Sequence, residues 1–170
     1  MWKILVAVLA LAPACAHACP VEQAHYVMDG QPGVEAGFRP VGRYKGWISD
    51  VAFFVRTPAR TDYFLFDQGS APYVSLISTT DVTEVGWAPP DPDGGVRPLG
   101  GMTYYSLRAD RSFYQNVIPK AGEEAPAQIF LPDLAEIMWY RGEPRQSVPH
   151  AFLTLVQCGD APLRDAGNRP

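Results

Sequence analysis

Clustered positive charge is missing from this sequence. Its 14 Lys and Arg are scattered among 18 Asp and Glu, with no basic run of five or more. Neutralising a phosphate backbone requires clustered cations, so nucleic acid is excluded as a partner. An anionic membrane surface is excluded on the same ground. Long apolar stretches are also short supply: the N-terminal run Ile4 to Ala12 spans nine residues, whereas a bilayer crossing takes about 20. An integral membrane protein is therefore not expected.

Recognisable catalytic and metal-binding motifs are absent too. No His-x-His, Cys-x-x-Cys or His-Glu-x-x-His spacing occurs, so no metal and no cofactor are expected. Gly69-Ser70-Ala71 lacks the Gly-x-Ser-x-Gly elbow of a serine hydrolase. Asp91-x-Asp93-Gly94 begins like a calcium loop, but its glycine comes fourth and Met102 stands where a Glu is needed. His25 and His150 are far apart in the chain, and such histidines are more often surface or turn residues. No catalytic residue is assigned. Asp50, Asp62, Asp67, Asp81, Asp133 and Glu136 offer carboxylate pairs for glycoside hydrolysis, with no indication of which would lie at the separation of about 5 to 9 Å that this chemistry requires.

What is present begins with an export signal. Met1-Trp2-Lys3 carries one positive charge, the apolar run follows, and Pro13 ends it. Ala16-His17-Ala18 fits the small-x-small rule, which predicts cleavage before Cys19 and a signal peptide over residues 1–18. The periplasm is the expected destination, with secretion or a lipid anchor as alternatives. Lipidation is disfavoured because neither Cys15 nor Cys19 has a large apolar residue three positions before it. Removing Lys3 leaves 13 basic against 18 acidic residues, a net charge of −5.

Two cysteines survive, Cys19 and Cys158. An even pair in an oxidising compartment predicts a disulfide. In the mature chain neither has a neighbouring His or Lys to activate it, which argues against a catalytic thiol.

The dominant period is two. Val34, Ala36 and Phe38 alternate with Glu35, Gly37 and Arg39. Strands are predicted over Ala24–Met28, Trp47–Arg56, Asp62–Asp67, Tyr73–Thr80, Thr103–Leu107, Phe113–Ile118, Ala127–Leu131 and Ala151–Cys158, besides the Val34–Phe38 segment. Asp29-Gly30 reads as a hairpin turn. Helical evidence is confined to Asp133–Tyr140, where Asp133 and Glu136 have capping-box spacing and Leu134, Ile137 and Met138 form one face; a strand through Trp139 is the alternative. The prediction is an all-β, mainly antiparallel domain over residues 19–158, a β-sandwich or small barrel with at most one or two short helices. Its first and last strands should be neighbours, stapled by the disulfide. Residues 159–170 read as a flexible tail.

Two segments stand out for binding. Ala88 to Gly101 holds four prolines and four glycines, which rules out helix and central strand. Loops this long inside a compact domain are functional or disordered more often than neutral. Trp87 stands at its entrance, and Asp91, Asp93 and Arg97 lie in it or beside its prolines. The second segment, Trp139-Tyr140-Arg141, combines the residue types enriched at binding hot spots. The bland readings are a solvated connection for the loop and core filling for the aromatics. The expectation is that both form one binding face of an exported, non-enzymatic protein that acts on a protein or envelope polymer. A carboxylate-dependent envelope hydrolase and a structural or assembly component are the alternatives.

Overall fold

The computed structural model of the chain describes residues 18–70, 72–114 and 116–159. Residues 1–17 of the predicted signal peptide and residues 160–170 of the predicted tail lie outside the described residues.

Turn chemistry sets the first hairpin. Strand β1 (Ala24–Met28) meets β2 (Gln31–Pro40) through Asp29-Gly30, where Gly30 adopts φ of 75°. That left-handed conformation suits glycine and matches the strand twist. Alternation then points Val34, Ala36 and Phe38 inward, all buried. The chain continues through β3 (Val51–Arg56), β4 (Thr61–Asp67), β5 (Val74–Thr79) and β6 (Gly101–Leu107). It goes on to β7 (Phe113–Tyr114), β8 (Gln128–Phe130), helix α1 (Leu134–Tyr140) and β9 (Leu153–Cys158). The strands pair antiparallel throughout.

Of the two predicted architectures the chain adopts the barrel. β5 pairs with β6, β6 with β8, β8 with β9 and β9 with β1, which closes an eight-stranded ring; β7 lies outside it on β6. Closure removes the open edges that a sandwich would leave. The predicted pairing of the first and last strands is present, from Ala24 opposite Cys158 to Met28 opposite Leu153. Cys19 and Cys158 are bonded, with their Cα atoms 5.6 Å apart.

Eight strands leave an interior that side chains can fill. Phe38 sits at its centre, with ring contacts to Tyr26, Phe53 and Phe66 at 5.3–6.2 Å. Tyr104 meets Phe53 and Phe66 edge-on. One pole of the barrel, at the β3–β4 turn, is closed by α1. Its Leu134, Ile137 and Met138 join the core along with Leu131 and Val148. Val21 and Ala125 are buried toward the opposite pole, where the Val21 amide donates to the Glu123 carbonyl.

A second apolar layer lies outside the barrel wall. Ala52, Phe54, Tyr63, Leu65 and Ile77 point away from the interior yet are buried. The β5–β6 connection runs along this face. It begins at Asp81 and Thr83 beside Tyr63 and reaches the β2–β3 loop at the other pole. There the Trp47 indole donates to the Pro90 carbonyl at 3.0 Å, and Tyr44 meets Trp87 edge-on. Among the described residues no helix is long and apolar enough to cross a membrane.

Candidate functional site

The spacing of Leu134, Ile137 and Met138 commits one face of α1 to the core. The same helical geometry turns Glu136, Trp139 and Tyr140 outward. Trp139 is 45% exposed and Tyr140 76%. They border a groove of about 330 Å³ between the helix and Ser147–Val148. The helix is held firmly. The Asp133 carboxylate accepts the Thr103 amide at 2.8 Å instead of capping its own helix. Arg60, paired with Asp62 at 2.7 Å, reaches the Met138 sulfur at 3.5 Å and the Pro144 carbonyl at 3.4 Å. Burial of Asp62 pushes its carboxyl above the ordinary range, although Arg60 pulls the other way.

Arg141 lies where α1 meets the long loop. Its Nη1 donates to the Leu99 carbonyl at 3.1 Å. A Cβ at Gly100, which has φ of 77°, would collide with the guanidinium, so that approach requires glycine. The loop's other candidates lie elsewhere. Asp91 accepts the Asp93 amide at 2.9 Å, and its carbonyl accepts the amides of Gly94 and Gly95. Arg97 donates to the Pro92 carbonyl. These two side chains therefore shape the loop itself, while Asp93 is exposed. Trp87 is half-buried against Tyr44 on the β2–β3 loop, at the pole opposite α1. The structure thus brings Arg141 to the end of the loop and sets Trp87, Asp91 and Asp93 at a distance from Trp139 and Tyr140. β3 has six residues, so the two poles are roughly 20 Å apart.

Three of the six acidic residues singled out in the sequence, Asp50, Asp81 and Asp133, accept backbone amides. Asp50 accepts the Ala121 amide at 3.0 Å. Asp81 accepts both the amide and the hydroxyl of Thr83. These two bonds hold its carboxyl below the ordinary range against the opposing effect of burial. Among the described residues no three of His, Cys, Asp and Glu gather as a metal site.

Sequence reasoning missed a larger cavity, of about 460 Å³, at the pole opposite α1. It is bounded by Ser106 to Ala109 at and just beyond the end of β6, by Tyr114 and Val117, by 123–127, and by Leu155 and Cys19. These are short pieces from five parts of the chain, and none carries a motif. The one available signal was the alternation in β6, which places Ser106 on the interior face behind Tyr104. Comparison of the chain with protein families, curated proteins and solved structures finds no match.

Proposed function

We propose that this chain is an exported, non-enzymatic binding protein that engages a protein or envelope-polymer partner through Trp139 and Tyr140. The reading is carried by two large aromatics side by side on the exposed face of α1, next to a groove. Trp and Tyr are the residue types that dominate binding energy. The contacts of Asp133 and Arg60 fix the helix before any partner arrives, which lowers the ordering cost of binding. Arg141 flanks the pair and is exposed apart from its bond to Leu99. Export is supported by the N-terminal signal pattern and by the disulfide, a bond that persists in oxidising compartments.

The test is capture of a partner from the native envelope fraction by three forms of the protein: unaltered, Trp139→Ala/Tyr140→Ala, and Arg141→Ala. A partner held by the unaltered protein should be lost by the double variant and weakened by Arg141→Ala, with thermal unfolding of the double variant unchanged. Equal capture by the double variant overturns the reading. Loss of folding in Arg141→Ala would make that arginine a structural clamp on Leu99.

A further inference from the structure

We infer that the outer wall of the barrel across β7, β6, β8 and β9 binds a neutral glycan whose pyranose rings carry equatorial hydroxyls. The aromatic pair of α1 takes no part in it.

Alternation builds the surface. β6 sends Met102, Tyr104 and Ser106 inward and β8 sends Ile129 inward, so Tyr105 and Phe130 face out. These two are opposite each other in the β6–β8 ladder, a placement that sets side chains together on one face. Phe113 of β7 meets Tyr105 at 5.0 Å on one flank, and Phe152, just before β9, meets Phe130 at 5.2 Å on the other. The four rings form one row. Phe113 is 48% exposed and the other three are half-buried.

A polar row runs beside the rings, roughly 7 Å away at the next outward position along each strand. There the Gln128 amide donates to the Thr154 hydroxyl at 3.1 Å, and that hydroxyl donates to the Asp29 carboxylate at 2.9 Å. The second amide hydrogen and the carbonyl oxygen of Gln128 are left for a ligand, as is the other oxygen of Asp29.

The two rows together specify the occupant. It must present an apolar surface and, close beside it, groups that both donate and accept. A pyranose does this: its C–H face covers an aromatic ring while its hydroxyl edge reaches the amide and the carboxylate. A hydrocarbon would strip water from Gln128 and Asp29 and replace none of its hydrogen bonds. A proline-rich peptide docks on aromatic surfaces, but its imides carry no donor for Asp29. The one ionic group in the rows is Asp29, which repels an anionic polymer and, being exposed, attracts a cation only weakly. Arg108, the next cation along from β6, is held 4.5 Å over the Tyr114 ring. Five strand positions by two outward positions give a patch on the order of 200 Å², too small for a second copy of the chain, which needs about 800 Å² per partner. A narrow polymer suits that shape.

The experiment is an NMR titration of the purified disulfide-bonded protein with cellotetraose, the N-acetylglucosamine tetramer, a hyaluronan tetrasaccharide and octaproline in parallel. At least one of the two neutral sugars should shift the amides of Tyr105, Gln128, Phe130 and Thr154 saturably. Hyaluronan should bind about 2- to 5-fold weaker, and Asp29→Asn should narrow that gap. Phe113→Ala should weaken the neutral sugar about 5-fold or more. If Phe113→Ala fails to fold, Gln128→Leu replaces it and should weaken the sugar likewise. The inference is overturned if neither neutral sugar saturates, or if hyaluronan or octaproline binds as tightly as the better of them. Unaltered binding by a folded Phe113→Ala also overturns it. Shifts confined to Trp139 and Tyr140 would move the sugar to α1 and overturn it as well.

Discussion

Replacing both Cys19 and Cys158 with alanine removes a tether across 139 residues of sequence. The chain-entropy model assigns a loop of that length ~5 kcal/mol. The native contacts beside the bridge do not depend on it. β1 and β9 remain paired from Ala24–Cys158 to Met28–Leu153, and the Gly159 amide still donates to the Gln23 carbonyl. The effect should therefore fall mainly on the unfolded chain, which becomes free to expand. Domains of this size have about 5–15 kcal/mol in total, so a loss of about 3–5 kcal/mol leaves a protein that still folds but with a small margin. Urea unfolding followed by tryptophan fluorescence reads both quantities, with the unaltered protein measured oxidised and reduced. The midpoint should fall and the slope m should rise, because a less constrained unfolded chain exposes more surface. An unchanged midpoint would refute the reasoning. A lower midpoint with unchanged m would place the effect in the folded state and refute the entropic account specifically.

Phe38→Ala empties the centre of the barrel, where one ring meets Tyr26, Phe53 and Phe66, and should cost about 3–5 kcal/mol by urea unfolding; a cost below about 1.5 kcal/mol would mean that the barrel collapses around the gap. Asp62 has a folded-state pKa raised above 3.8 by burial, so its contribution to stability is full below that value and is lost as pH rises through the folded pKa. Asp62→Asn cannot ionise, and its stability relative to the unaltered protein should improve from pH 3 to pH 7; a gap that moves the other way removes burial as the dominant influence on Asp62.

Much of the barrel was legible because its signals are local. Asp29-Gly30 dictated the first hairpin, and the alternation of Val34, Ala36 and Phe38 identified the inward face. The continuous apolar run Tyr63–Phe66 is buried throughout, and on its outer side Asp81 and Thr83 of the β5–β6 connection lie beside Tyr63. Two strands are each four residues shorter than predicted. The run from Trp47 pairs only from Val51, because the Ser49 hydroxyl turns away to the Pro119 carbonyl at 2.7 Å and also accepts the Val51 amide. The run from Phe113 pairs only through Tyr114. Closure by β5–β6 and β6–β8 is a long-range outcome that no dipeptide encodes. The capping box at Asp133 shows a local signal overridden: the helix forms, but its carboxylate serves β6. The site is less legible than the fold. Exposure of Trp139 and Tyr140 follows from the helical spacing of their neighbours, whereas the cavity is assembled from fragments that only the closed ring brings together.

That ring also has a covalent meaning. With Cys19 bonded to Cys158, the residues between them form a macrocycle, and the Pro- and Gly-rich connection from β5 to β6 is one of its arcs. A single backbone cut anywhere in this cycle linearises it without releasing a piece. An endoprotease must therefore cut twice, or a reductant must open the bond, before any fragment between the two cysteines is released. For a chain with long exposed connections, the bond between its ends keeps the pieces of a once-cut loop covalently joined.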